Sequence, residues 1–311
     1  MHTLLISHTA CLEHAPNPWH PESPDRLRAI QQRLEGEEFA LLHRAEARPA
    51  TRDELVRAHD AAYVDRLLER FPEAGGQVVQ IDADTAMGPG TGEAALRAAG
   101  AACQAVDEVM EGGAANAFCA VRPPGHHATQ NRAMGFCFFN NVAVAAFHAR
   151  ARHGVERAAV IDFDVHHGNG TQDIFWNEPA LFYASVHQSP AYPGTGAARE
   201  RGAAGNVVNV PLPPGADGDM FREALDTAVL PAVEAFRPGL ILISAGFDAH
   251  ASDPLAHLRL QEADFAWATS RIAELARGLC GGRIVSTLEG GYDLSALASS
   301  VAAHVRTMME G

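Results

Sequence analysis

The sequence predicts an α/β protein: one open, mostly parallel sheet of roughly eight strands with helices packed on both faces. Three observations carry this expectation. Short β-rich apolar runs alternate with helix-period segments along the chain, the pattern of strand–helix–strand crossover units. Several runs are apolar at every position, as in parallel strands buried on both faces. Loops rich in Gly, Pro and His follow several strands, over 122–135, 165–171, 188–205 and 246–256, where ligands bind in open α/β sheets.

In order, the candidate strands are Thr3–Ser7, Val78–Ile81, Ala117–Val121, Ala158–Phe163, Leu181–Val186, Val207–Val210, Leu240–Ser244 and Arg283–Leu288. Between them, Gly92–Glu111 sets Ala95, Leu96, Ala99, Cys103, Val106 and Met110 on one helical stripe. Asn140–Arg152, Asp219–Phe236 and Glu262–Leu279 also read as helices, and Asp293 is placed to cap a last one through Met309. With no repeat, low-complexity tail or linker, residues 1–311 read as a single domain.

Composition narrows the chemistry. A hydrophobic content of 47% is that of a soluble globular chain. The apolar start is brief and lacks a basic region, and no run is long enough to span a bilayer, so a cytoplasmic protein without membrane contact is expected. There is no lysine: all 24 cationic side chains are arginine. That excludes a Schiff-base or pyridoxal-phosphate lysine and a P-loop nucleotide site. A net charge of -14 argues against direct nucleic-acid binding but favours cationic substrates such as basic peptides or polyamines. Surface acid serving solubility explains the charge equally well. The five cysteines form no C-x-x-C pair, which argues against a disulfide framework or zinc ribbon; Cys103 and Cys119 read as small core residues.

The most informative stretch is Asp162-Phe163-Asp164-Val165-His166-His167-Gly168-Asn169-Gly170, directly after the apolar Ala158–Ile161. Strand alternation would put Asp162, Asp164 and His166 on one side. Two carboxylates and an imidazole converging there are costly to bury without a cation or hydrogen bonds. Asp plus His, with a third ligand elsewhere and an open position for water, is how a catalytic zinc site is built. A calcium loop is excluded, because His167 stands where the turn needs glycine and a strand precedes it. Asp248, ending the apolar run from Leu240, is the best-placed third ligand, although lone strand-end aspartates are often turn formers. Asp253, before Pro254, reads as only a turn residue.

Other strand ends add reactive side chains. Arg122-Pro123-Pro124-Gly125-His126-His127 puts two groups that titrate near neutrality beside that site. Of the remaining histidines, His2, His43, His153 and His304 read as surface or helix residues. In Leu288-Glu289-Gly290-Gly291-Tyr292, Gly290 and Gly291 would let the tyrosine hydroxyl approach a reacting carbonyl as an oxyanion donor; a packed aromatic is the plainer reading. Phe136 and Tyr192 could line an apolar channel or belong to the core.

Taken together, Pro124-Gly125-His126-His127, Gly135-Phe136-Cys137, the segment 162–170, Tyr192-Pro193-Gly194-Thr195-Gly196, Ser244-Ala245-Gly246-Phe247-Asp248 and Glu289-Gly290-Gly291-Tyr292 occur in one order that resembles the histone deacetylase superfamily. His20-Pro21-Glu22-Ser23-Pro24-Asp25-Arg26-Leu27 is similar to the start of its bacterial members, class II-like amidohydrolases related to acetylpolyamine amidohydrolases. The likeness runs from about residue 20 to 295. It implies an arginase-like deacetylase fold, with Asp164, His166 and Asp248 holding one zinc ion; iron(II) suits this donor set comparably. It implies His127 as general base and then acid, His126 tuning the site electrostatically, Asp162 orienting His126, Asn169 orienting His127, and Tyr292 donating to the oxyanion. The asparagine at 169 is similar to the class II branch, where class I members usually carry aspartate. Phe136 and Tyr192 would flank the acyl-lysine chain, and Asp84 would accept amide hydrogens of the substrate backbone at the rim. A structural potassium or sodium ion is implied near Asp162, Asp164, His166, Ser185 and Val186.

The expected reaction is therefore zinc-dependent removal of acetyl or other acyl groups from lysine Nε in peptides or proteins, with acetylpolyamines the alternative substrate. The polyamine-selective eukaryotic branch looks acidic where this chain has Leu255, which leans toward peptides, although Glu13 could still meet a cation. A two-manganese ureohydrolase fits less well, since His126-His127 with Tyr292 match the deacetylases. A dead acyl-binding module is disfavoured because every expected catalytic residue is present. The oligomeric state is open, and a homo-oligomer is compatible with the sequence.

Overall fold

In the computed structural model, which describes residues 2–311, the eight-stranded sheet is entirely parallel. Its strands are β1 (Thr3–Ser7), β2 (His43–Glu46), β5 (Asn116–Cys119), β6 (Ala158–Asp162), β7 (Leu181–Gln188), β8 (Val207–Leu212), β9 (Leu240–Ala245) and β10 (Ile284–Leu288), in the order β2-β1-β5-β10-β9-β6-β7-β8. A separate antiparallel pair is made by β3 (Val79–Gln80) and β4 (Ala86–Met87). The helices are α1 (Pro24–Arg33), α2 (Arg52–Leu55), α3 (Ala61–Arg70), α4 (Thr91–Met110), α5 (Asn141–His153), α6 (Asn169–Phe175), α7 (Gly218–Ala224), α8 (Leu230–Phe236), α9 (Glu262–Cys280) and α10 (Leu294–Glu310).

Buriedness explains which strands were readable. Strands β5, β6, β7, β9 and β10 are buried at every position, so each reads as a mostly apolar run, with its polar residues toward one end. Two expectations need correction. The run Val78–Ile81 does not enter the main sheet; it contributes only the small hairpin with Ala86–Met87. The missing main-sheet member is His43–Glu46, a mostly exposed edge strand whose charges blunt unwanted pairing and hide its strand character.

The segment expected as one helix over 219–236 is α7, a π-helical turn at Leu225–Val229, and α8. Pro231 lacks a backbone N–H and cannot donate to the carbonyl four residues back, so the ladder widens there. All five cysteines are buried and unpaired. His304 lies on helix α10, as one of the two readings had it, but not at the surface: it is fully buried, with Thr269 Oγ1 2.6 Å from Nδ1 and Ser286 Oγ 2.9 Å from Nε2. Among the described residues, no helix is long and apolar enough to cross a membrane.

Candidate active site

The carboxyl ends of β5, β6, β9 and β10 deliver their loops to one place. Simple alternation does not explain how Asp162, Asp164 and His166 converge there, because the strand stops at Asp162. Beyond it the chain folds through two successive side-chain turns. Asp162 Oδ1 accepts from Asp164 N at 3.1 Å, and Asp164 Oδ1 accepts from His166 N at 2.9 Å. Each acidic residue thus shapes the backbone that presents the next donor.

One donor atom each from Asp164, His166 and Asp248 lies within 4.8 Å of the others. His166 Nδ1 is 3.2 Å from Asp164 Oδ1 and 3.0 Å from Asp248 Oδ2. Both carboxylates are further held by backbone amides, Gly290 N to Asp164 Oδ2 at 2.8 Å and Val165 N to Asp248 Oδ1 at 2.9 Å. Burial, with Asp164 beside it, pushes Asp248 up to about 7. Burial would also lower the His166 pKa, but its hydrogen bonds to Asp164 and Asp248 hold it well above the usual value. A proton on His166 therefore supplies the positive charge that two buried carboxylates demand. A divalent cation fits this donor set: it would take that proton's place, as metal binding does when it deprotonates its ligands.

The two adjacent histidines have different partners. His126 Nδ1 donates to Asp162 Oδ2 at 3.0 Å, and Asp162 Oδ2 also accepts from Tyr183 Oη at 2.9 Å. Burial opposes the charged imidazole, yet Asp164, Asp162 and Glu289 raise its pKa to about 10. His127 Nδ1 donates instead to the amide oxygen of Asn169 at 2.8 Å. Burial, then repulsion from His126 and His166, lowers its pKa well below the ordinary value. His127 is thus a neutral imidazole whose Nε2 lone pair is left for the cavity.

Above these groups lies a channel of about 230 Å³ lined by Asp84, His127, Gly135, Phe136, His166, Tyr192, Leu255 and Tyr292. Tyr192 meets His127 edge-on at 5.0 Å, and Phe136 meets Tyr292 edge-on at 6.0 Å. Phe136 holds φ at 69°, a left-handed backbone that a bulky residue adopts at a cost of about 1–3 kcal/mol, and its amide donates to Thr85 Oγ1 at 3.0 Å. Leu255 stands exposed at the mouth, and Asp84 is half-buried there.

The comparisons with known proteins agree with this geometry. The family described as histone deacetylase domain matches residues 20–308. The chain belongs to the histone deacetylase family. It is 44% identical over 278 residues to the histone deacetylase-like amidohydrolase of Pseudomonas aeruginosa, covering 88% of this chain and 72% of that protein. An uncharacterised Synechocystis protein, slr0245, is 42% identical over 311 residues, covering 98% and 99%. The crystal structure of the HDA15 HD domain superposes with a TM-score of 0.92 at 35% identity, over 99% of this chain and 88% of that one. The fold is therefore the deacetylase fold, and the protein is a hydrolytic deacetylase.

In this deacetylase, sequence reasoning overlooked several supporting side chains. Glu289, which in sequence only opens the Gly290-Gly291-Tyr292 motif, accepts from Gly125 N at 2.7 Å and His126 N at 3.1 Å, so it fixes the tandem-histidine loop. Burial pushes its carboxyl up to about 7, against the pull of His126. Asp253 is more than a turn residue: Oδ2 accepts from Tyr292 N at 2.7 Å and Oδ1 from Leu255 N at 2.9 Å. Its burial was the missing signal. Arg26 stacks over the Tyr292 ring at 4.9 Å and donates to the backbone carbonyls of Glu289 and Gly291. Gly290 and Gly291 sit beneath the channel; Gly291 needs φ of 124°, and a Cβ on Gly290 would strike both aspartates. Ser185 lies beside Asp162 in the β6–β7 register, with Val186 next to it.

Proposed function

We propose that residues 1–311 form one catalytic domain that hydrolyses the acetyl amide of Nε-acetyl-lysine in peptides or proteins, with zinc as the native metal. The observation that carries this is the narrow channel walled by Phe136 and Tyr192, with His127, His166 and Tyr292 at its floor. Such a channel admits a straight methylene stem and delivers an amide to the acid–base groups.

Asp164, His166 and Asp248 would hold the ion, which when bound supplies Lewis-acid polarisation of the amide carbonyl. The protein's own groups do the rest. His127 Nε2, kept free by the Nδ1–H bond to Asn169, takes a proton from the attacking water. The Tyr292 hydroxyl donates to the oxyanion that forms as water adds to the carbonyl carbon. His127 then returns its proton to the departing lysine amine as the C–N bond breaks, leaving acetate and free amine. His126, backed by Asp162, stays charged throughout and stabilises negative charge nearby. Asp84 at the rim would accept a substrate backbone amide, and Ser185 and Val186 with Asp162, Asp164 and His166 would seat a structural potassium or sodium ion.

The exposed apolar Leu255 at the mouth favours a peptide over a polycation. The net charge of -14 supports the second reading, acetylpolyamine hydrolysis by the same chemistry. A cytoplasmic site of action belongs to the same proposal. The test is turnover of an acetyl-lysine peptide beside an N-acetylated polyamine, with and without a chelator. Peptide preference abolished by chelation and restored by zinc supports the proposal. Polyamine preference keeps the mechanism and replaces the substrate, and chelator-resistant turnover removes the metal.

A further inference from the structure

We propose that Asp107, His148 and His153 form a second site, for a divalent transition-metal ion, at the end of the sheet opposite the catalytic channel. Helix α5 begins beside that channel, where Asn141 Nδ2 donates to Pro123 O, and ends at His153 just before β6 starts. At 1.5 Å per residue the helix carries its last turn roughly 18 Å from its first. The two groups of donors are therefore separate.

The geometry points to an ion. His148 Nε2 and His153 Nε2 each lie 2.7 Å from the same oxygen, Asp107 Oδ1, and one donor atom from each residue falls within 4.8 Å of the others. Behind the first imidazole, Glu54 Oε1 is 3.3 Å from His148 Nδ1. A carboxylate backing a histidine in this way is the arrangement that fixes the tautomer of a metal ligand. Glu54 is itself held by Arg48, at 2.9 and 2.6 Å, so it is an anchored acceptor. Side-chain exposures of 6% for His148, 11% for His153 and 28% for Asp107 leave an entry path and open positions for water.

Two imidazoles and one carboxylate select zinc, nickel or copper over magnesium or calcium, which prefer all-oxygen shells. In the competing, metal-free arrangement, Arg57 Nη1 donates to His148 Nδ1 at 3.1 Å, and Nε2–H goes to Asp107. Binding at Nε2 reverses that tautomer: Nδ1–H turns to Glu54, and the exposed Arg57 moves into solvent. Arg48, 3.5 Å from Asp107 Oδ2, stays on Glu54. An ion here would tie the last turn of α4 to the last turn of α5.

The probe is zinc. Wild type, His153→Gln, Asp248→Asn and the double variant are dialysed against buffered zinc and their metal content is measured, with folding followed by circular dichroism. Wild type is expected to hold about two equivalents and each single variant about one, by the donor counts of such sites. His153→Gln should keep wild-type kcat/KM, and zinc should raise the melting temperature of Asp248→Asn but not of the double variant. The proposal is overturned if folded His153→Gln keeps the wild-type metal content, or if Asp248→Asn holds no zinc. If instead Asp248→Asn keeps both equivalents while His153→Gln loses one, this site stands and the catalytic ligand assignment fails.

Discussion

Replacing Gly290 with alanine adds one methyl group where two of the site's carboxylates already crowd the backbone. An ideal Cβ there would fall 2.6 Å from Asp164 Oδ2 and 2.7 Å from Asp248 Cγ, and nearer still to Asp248 Oδ2. Ordinary contact begins at 3.4 Å, so the Asp248 carboxyl must retreat by about 1 Å, its Oδ2 further than its Cγ, and Asp164 must give as well. The φ angle of Gly290 is not in the left-handed region, so alanine is tolerated by the backbone and the effect is one of contact alone. A misplacement near 1 Å costs about 10²-fold in a positioned reaction. We expect kcat/KM on an acetyl-lysine peptide to fall by about that factor, and zinc content to fall with it, while the melting curve stays cooperative. Activity within a few-fold of wild type at full zinc content would refute the reasoning that these two carboxylates converge on one ion beneath Gly290.

Three further outcomes follow from other contacts. Tyr292→Phe should lower kcat by about 10²-fold or more with zinc content unchanged, the scale for one oxyanion donor; near-normal turnover would remove Tyr292 from the chemistry. Asn169→Ala should lower kcat/KM by about 10–100-fold by releasing the His127 tautomer, and unaltered kinetics would show that the 2.8 Å bond does not matter. Glu22 is fully buried against Arg122 and Arg26; burial alone would raise its pKa, but the two arginines pull it from 4.5 to about 2. A folded pKa below the unfolded one gives stability that is complete above about 4.5 and is lost as pH falls toward 2. The loss is about 3 kcal/mol. Urea midpoints measured across that window should show it, and Glu22→Gln, less stable at neutral pH, should lack that part of the acid slope. An unchanged slope in the variant would dismiss Glu22 as its source.

Much of this architecture was legible because parallel strands buried on both faces write themselves as apolar runs, as Leu240–Ile243 does within Leu240–Ala245. The edge strand His43–Glu46 was not, since its exposed side chains are chosen against pairing rather than for a core. Motif residues such as His126, His127, Asp164 and Tyr292 were recognisable by type and order. Their supports were not: Glu289, Asp253 and Tyr183 act through long-range hydrogen bonds, and nothing local distinguishes such a carboxylate from one that merely ends a strand or makes a turn. Even the convergence of Asp162, Asp164 and His166, expected from strand alternation, arises from side-chain turns that only the folded chain reveals.

His126 and His127 are neighbours in sequence, with rings 4.0 Å apart, yet the site gives them opposite charge states. Two imidazolium ions at that distance would repel strongly in a dry pocket. The protein resolves this by what it places behind each ring. His126 faces the ionisable Asp162, with Asp164 and Glu289 nearby, so one positive charge is held there against burial. His127 faces a neutral amide, which accepts Nδ1–H but contributes no charge, so burial and the cation next door keep it unprotonated. A base in a proton-transfer reaction must begin neutral and must pass its proton on. In the proposed mechanism, asparagine at 169 serves that need. Aspartate there would hold a proton on His127 more firmly, slowing its return to the amine while helping its capture from water. In the proposed mechanism the residue behind the ring, more than the histidine itself, would therefore set which half of the reaction His127 performs easily.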